Sequence, residues 1–255
     1  MTGSLSPRFE CAALTDRGLK RSRNEDAFVC DAHHGIFLVA DGMGGEQAGD
    51  TASRITADVF ARSVVPYLTD EDLTLPVETS REHDPWREIL CLAVKETNRQ
   101  VVEYAERQGT RGMGSTLTAA VVIQDRLYIT HVGDSRLYLT DGRECRQITR
   151  DHTKVEEMVA RGVLTPEQAR NHPQKNIITR CVGRKKTTAD IEVLEPVENA
   201  VYLICSDGLV DMVPDSKIYE LISGGAGLEE AAKMLVEAAN DQGGRDNITV
   251  VLFRI

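Results

Sequence analysis

The chain has 255 residues, 41% of them hydrophobic and 27% charged, with a formal net charge of -10; it is long enough to bury a substantial core in one large or two small domains and has the composition of an ordinary soluble globule. So acidic a balance argues against nucleic acid and against an anionic membrane surface, which both recruit basic patches, but it leaves phosphorylated substrates open because bound divalent ions reverse the local field. No run approaches 18 apolar residues, the first ten residues hold no apolar signal core, and Cys11, Cys30, Cys91, Cys145, Cys181 and Cys205 show no Cys-x-x-Cys spacing, so the expectation is an unanchored cytoplasmic protein whose thiols are small, reduced core residues.

In chain order, residues 9–15 and 27–31 read as short strands flanking a polar, basic loop at 17–23. Residues 36–40 form an apolar run halted by Asp41-Gly42-Met43-Gly44-Gly45, which predicts a buried strand ending in a tight turn. Ala48, Ala52, Ile55 and Val59 repeat at helical spacing and predict a helix to about Leu68. Residues 70–85, with Pro76, Pro85 and many acids, read as an exposed loop without chemistry. A second helix is expected from Trp86 to about Gln108, with Ile89, Ala93, Val101 and Tyr104 near one face.

Residues 117–123 and 127–132 predict a hairpin around Gln124-Asp125-Arg126, and the run at 136–140 turns at Asp141-Gly142. Residues 151–171 are charged and helical in pattern, interrupted by Gly162 and Pro166. A strand at 200–206, a helix at about 228–240 and a final strand at 248–253 complete the chain, which has no internal repeat. Helices between groups of antiparallel strands imply a layered fold in which helices cover sheets.

Four strand-like runs carry an aspartate at an edge. Asp41 follows the third run, Val132-Gly133-Asp134 ends another, Cys205-Ser206-Asp207-Gly208 repeats the pattern, and Gly244-Arg245-Asp246-Asn247 leads into the last strand. Any one alone is ordinary turn chemistry, since Asp bonds its own backbone and Gly accepts positive φ. If the four converged, mutual repulsion would hold some protonated unless a cation lay between them. An all-oxygen site selects magnesium, manganese or calcium over zinc, and the glycines around Met43 let main-chain carbonyls approach a hard cation.

Eight segments in order carry a resemblance: Arg21-Ser22-Arg23-Asn24-Glu25-Asp26; Asp41 to Gly45 with Ala48-Gly49; Gly114-Ser115-Thr116; Val132-Gly133-Asp134-Ser135-Arg136; Asp151-His152-Thr153; Ile178-Thr179-Arg180; Ser206-Asp207-Gly208; and Gly244-Arg245-Asp246-Asn247. The chain resembles the metal-dependent serine/threonine protein phosphatases of type 2C, the PPM family, in their compact bacterial form, over nearly its whole length. The resemblance implies one catalytic domain over residues 1–255, with a mobile flap at about 151–176. It sharpens the fold to an α+β, four-layer αββα sandwich: two central antiparallel β-sheets packed face to face, flanked by helices.

The same resemblance implies two Mn2+ or Mg2+ ions and a third, weaker one. Asp41 bridges the pair, the Gly42 carbonyl joins one ion, and Asp207 and Asp246 join the other; Asp134 with Asp207 matches the third site. Arg21 matches a phosphate-binding arginine, and a guanidinium can hold two phosphate oxygens at any working pH. Glu25 and Asp26 match acids that hold metal-bound water, and Asn247 is expected to orient the site through hydrogen bonds. A water bridging the two ions attacks phosphorus directly, with no phosphoenzyme. Substrates are phosphoserine and phosphothreonine proteins, opposing a cognate serine/threonine kinase, and the enzyme is expected to act as a monomer. The departure lies at Met43, where eukaryotic relatives carry a His as proposed general acid. Met cannot donate a proton, which leaves metal-bound water or another side chain, with His152 a candidate by type.

Competing chemistries lack their residues. There is no Gly-x-Ser-x-Gly elbow and no Cys in a phosphate-binding loop, Gln47 stands where a dinucleotide fingerprint needs its third Gly, and no Walker lysine follows a glycine run. The alternative of another class is a pseudophosphatase that keeps the fold as a binding module. Such relatives usually lose a metal ligand, whereas Asp41, Asp207, Asp246 and Arg21 are all present.

Overall fold

The computed structural model describes residues 9–70, 73 and 84–255, so most of the loop expected at 70–85 lies outside the described residues. In chain order the elements are β1 (Glu10–Asp16), β2 (Asp26–Asp31), β3 (Ile36–Met43), α1 (Glu46–Thr69), α2 (Pro85–Gln108), β4 (Gly114–Ser115), β5 (Leu117–Ile123), β6 (Arg126–Val132), β7 (Arg136–Thr140), β8 (Cys145–Gln147), α3 (Lys154–Ala160), α4 (Pro166–Arg170), β9 (Asp190–Leu194), β10 (Val201–Cys205), α5 (Asp207–Val210), α6 (Asp215–Ser223), α7 (Leu228–Asp241) and β11 (Ile248–Arg254). One sheet runs β1-β11-β10-β7-β8, the other β2-β3-β5-β6-β9 with β4 also on β3. Every strand pairing is antiparallel.

The continuous apolar runs are explained by burial on both faces. Along β3, Ile36, Leu38 and Ala40 pack with Phe60, Val64, Leu90 and Val94 of α1 and α2, while Phe37 and Val39 face the other sheet. Along β11, Val250 and Leu252 meet Leu235 and Ala239 of α7, while Val251 and Phe253 enter the space between the sheets. Each strand therefore feeds two cores, which stacks four layers in the order helix, sheet, sheet, helix. Among the described residues no helix is long and apolar enough to cross a membrane.

Local chemistry sets several ends. Asp84 caps α2 by accepting from the Trp86 N–H, with Pro85 in the first turn and Gly109 left-handed at the far end. The turn between β5 and β6 holds only Gln124 and Asp125, since Ile123 pairs with Arg126. Gln124 takes φ 56 there, a left-handed geometry a two-residue hairpin requires.

Three expectations need correcting. Asp41-Gly42 is not a turn: β3 continues through Met43 and changes partner from β5 to β4, pairing Gly42 with Ser115 and Met43 with Gly114. β8, β9 and α6 were not expected, because pieces of three, five and nine residues are too short to show a period. The cysteines are not all core residues: Cys181 and Cys205 are buried, but Cys11, Cys30, Cys91 and Cys145 are half-buried.

Candidate active site

Both sheets contribute to one end of the sandwich. On the β3 side, Asp41 is fixed through its backbone: its N–H donates to Thr116 Oγ1 at 2.8 Å, and the Thr116 N–H donates back to its carbonyl at 2.8 Å. The Thr116 hydroxyl also meets the Ser135 hydroxyl at 2.7 Å, which ties Asp41 to the turn carrying Asp134. Gly133 opens that turn at φ 114 with Thr116 packed where a Cβ would stand, so Asp134 is aimed by a backbone only glycine accepts readily. A Cβ at Gly42 would overlap the Gly49 carbonyl, and one at Gly49 would overlap the Glu25 carboxylate. That crowding brings β3, the start of α1 and the β1–β2 loop together.

On the β10–β11 side, Asp207 opens α5 and Asp246 precedes β11. Asp26 of β2 crosses to this sheet, its Oδ2 accepting from Ser206 Oγ at 2.8 Å and Thr249 Oγ1 at 2.6 Å. It is also the register partner of Asp41. Asn247 works in the same direction: its Oδ1 accepts the Glu25 N–H at 2.8 Å, and its Nδ2 donates to the carbonyls of Arg17 and Arg23 at 2.9 and 2.8 Å. One amide thus fixes both ends of the loop that carries Arg21. Arg21 reaches across to Asp246, Nη2 to Oδ2 2.6 Å.

The carboxylates raise one another. Asp41 and Asp207 are held well above the usual range, first by desolvation, then by Asp26, Asp207, Asp134 and Asp246 around Asp41 and by Asp134, Asp246, Asp211 and Asp26 around Asp207. Asp134 is pushed up to about 7 by burial and then Asp151, and Asp26 to about 6 by burial, against the two hydroxyls that donate to it. The structure therefore brings Asp26, Asp41, Asp134, Asp207 and Asp246 within electrostatic reach. Among the described residues no three acid, imidazole or thiol groups already close on one ligating point. Yet Asp26 Oδ1, Asp134 Oδ1 and Asp207 Oδ1 are buried without a hydrogen-bond partner. Orphaned acid oxygens among like charges suit a hard divalent cation, which supplies the missing charge and the missing contact.

The expected flap is two short helices, α3 and α4, parted at Gly162 (φ 70). Its far end is pinned by Lys175 to Asp211 at 2.7 Å and Arg170 to Asp215 at 3.6 Å. His152 lies at its root, buried rather than in the floor of the site. Its Nδ1 accepts the Gly133 N–H at 3.1 Å, its Nε2 lies 3.1 Å from Asp190, and its own N–H donates to the Gly133 carbonyl at 2.7 Å. Nδ1 thus holds the Asp134 turn while Nε2 is engaged with Asp190 and lies 3.2 Å from Arg180 Nη1, so the candidate acid has a structural place instead.

Sequence reading missed Thr116, Ser206 and Thr249, which fix the acids without being charged. Thr116 and Ser206 stood inside recognised motifs, but nothing local gave them a partner.

The chain matches the family model "Protein phosphatase 2C" over residues 19–248. It is 39% identical over 244 residues to the serine/threonine phosphatase stp of Listeria monocytogenes, covering 93% of this chain and 92% of that protein. Among solved structures it is similar to the Mycobacterium tuberculosis serine/threonine phosphatase PstP/Ppp, with TM-score 0.84, 36% identity, and 97% and 98% of the two chains covered. It is also similar to the catalytic domain of PstP in complex with two manganese ions, with TM-score 0.81, 35% identity, and 96% and 97% covered.

Proposed function

The chain belongs to the protein phosphatase 2C family and is a metal-dependent serine/threonine protein phosphatase acting on phosphoproteins; from that premise we propose that its reaction takes place over Asp41, Asp134, Asp207 and Asp246, beneath Arg21. The observation that carries this reading is the set of mutually raised carboxylates with orphaned oxygens, drawn from both sheets to one end.

In this reading Asp41, the Gly42 carbonyl, Asp207 and Asp246 hold two Mn2+ or Mg2+ ions, and Asp134 with Asp207 a third. When bound, the ions lower the pKa of an attacking water and neutralise the phosphoryl oxygens. The chain's own groups do the rest. Arg21 exchanges Asp246 for the phosphate and holds two of its oxygens. Glu25 and Asp26 accept hydrogen bonds from ordered water, and Ser206 and Thr249 keep Asp26 in place. Asn247 keeps the Arg21 loop on β11. Met43 carries no proton and His152 is occupied by Gly133 and Asp190, so the leaving group takes its proton from solvent in the site.

We take the chain as one catalytic domain with residues 151–176 as a flap beside the site. A shared core between the sheets, built from Phe37, Ile129, Tyr202 and Phe253 among others, supports this, since neither half would bury its inner face alone. Half-buried free thiols suit a reducing cytoplasm, where the protein acts as a monomer against a serine/threonine kinase.

The test is phosphate release from a phosphothreonine peptide against added Mn2+, with chelator and Asp207→Ala as controls. Metal-dependent release that the variant abolishes supports the assignment. Folded wild-type protein that binds neither Mn2+ nor Mg2+ in calorimetry and releases nothing would favour the binding-module alternative.

A further inference from the structure

We propose that Cys11 and Cys30 form an oxidant-reactive dithiol, a modification site at which a peroxide joins the edge strands of the two sheets through a reversible disulfide. β1 and β2 are edge strands of different sheets, and their neighbouring ends are joined by a hydrogen bond from the Phe9 N–H to the Ala32 carbonyl at 3.2 Å. Cys11 pairs in register with Phe253 and Cys30 with Phe37, and those two rings stack with centroids 4.0 Å apart and planes 8° apart. The stack draws the sheet edges together, and the thiols, both free, face each other with Sγ atoms 2.9 Å apart. That is about 1 Å beyond a disulfide bond, a gap small side-chain rotations can close.

A surface cleft of about 440 Å3, lined by Cys11, Leu14, Cys30, Glu229, Ala232 and Lys233, lies over the pair. It admits a small oxidant to the two sulfurs. Cys30 donates its S–H to Cys11, and burial pushes the Cys30 thiol up, so Cys11 reacts first. Its sulfur attacks the peroxide, whose O–O bond breaks, giving Cys11 sulfenic acid and the reduced alcohol or water. Cys30 sulfur then attacks the sulfenic sulfur: the S–S bond forms, the S–O bond breaks, and hydroxide leaves with the Cys30 proton as water. The two electrons lost by the thiols reduce the peroxide, and a dithiol reductant reverses the bond.

The closed segment runs from Cys11 through the Arg21 loop to Cys30. Closing a loop of this length restricts the unfolded chain far more than the folded one. The expected result is a melting temperature about 5–10 °C higher in the oxidised protein. Turnover stays within about twofold, because the bond lies at the ends of β1 and β2 remote from Asp26 and Asp41.

The experiment treats the full, manganese-loaded chain with a few equivalents of hydrogen peroxide, alkylates the remaining thiols, maps peptides by mass spectrometry and records melting before and after dithiothreitol. A Cys11–Cys30 linked peptide that dithiothreitol removes, with the rise in melting temperature, supports the proposal. Cys11→Ser and Cys30→Ser should show neither change. Should either variant fold poorly, the oxidised and reduced wild-type protein carry the comparison. The proposal is overturned if Cys11 and Cys30 still alkylate after half-buried Cys91 and Cys145 have oxidised, if the link joins another pair, or if the linked protein melts lower.

Discussion

Arg21 and Asp246, 225 positions apart in the sequence, form an ion pair with Nη2 2.6 Å from Oδ2. A cation suited to phosphate is thereby held by a carboxylate suited to a metal. The arginine side chain is half exposed, so the pair adds little to stability; its consequence is competition, since phosphate and metal each take one partner from the other. Replacing Arg21 with Ala should lower kcat/KM for a phosphothreonine peptide by roughly 10- to 100-fold, mainly through KM. Manganese affinity should hold or tighten, because Asp246 loses its competitor. An unchanged KM in initial-rate measurements would remove Arg21 from phosphate binding.

Asp41→Asn and Asp207→Asn separate the electrostatic account from ordinary loss of structure. Each keeps the side chain's shape and removes a charge that its neighbours oppose. Turnover should fall by more than about 10²-fold. In chelator, however, each variant should melt a few degrees above the wild type, because the repulsion is gone. Wild-type turnover, or a lower melting temperature in chelator, would defeat the reading.

The pH dependence follows from the same cluster. Asp134 at about 7 and Asp26 at about 6 lie above the usual carboxylate value because the folded state disfavours their charged forms. Their contribution to stability is therefore full below about pH 4 and is lost as pH rises through 6 and 7. In chelator the melting temperature should decline over that window. Bound Mn2+ displaces the protons, so its affinity should increase over the same range, as titrations at pH 6 and 8 would show. A metal affinity that is flat with pH contradicts the mutual raising of these acids.

His152 should behave as a structural residue. Its removal leaves the Gly133 N–H without its acceptor, at a cost of about 1–3 kcal/mol and a fall of about 2–10 °C in melting temperature. The ratio of rates on an aryl phosphate and on a phosphothreonine peptide should not move. A loss confined to the poorer leaving group would restore His152 as a proton donor.

Much of this was legible in the sequence, because local pattern records how a segment is buried. The apolar runs at β3, β10 and β11 announce strands covered on both faces, and an Asp marks one end of each run, Asp41 and Asp207 after it and Asp246 before it. Helical spacing located α1 and α2, and the order of short motifs indicated the family and its acids. β8, β9 and α6 were not legible, since elements of three to nine residues leave no period and are held by the neighbours they pair with or cover.

Tertiary structure alone decided the rest. Nothing near Asp41 says that its strand runs on and changes partner from β5 to β4, because that depends on where Gly114 and Ser115 arrive. Nothing near Asp26 says that its carboxylate is shared with Ser206 and Thr249, 180 and 223 positions away, or that Cys11 faces Cys30. Sequence determined which residues must leave water and which carry charge, since those are properties of side chains and their spacing. Which of them meet was determined by two sheets closing on a common core, a relation between distant segments that no local stretch contains.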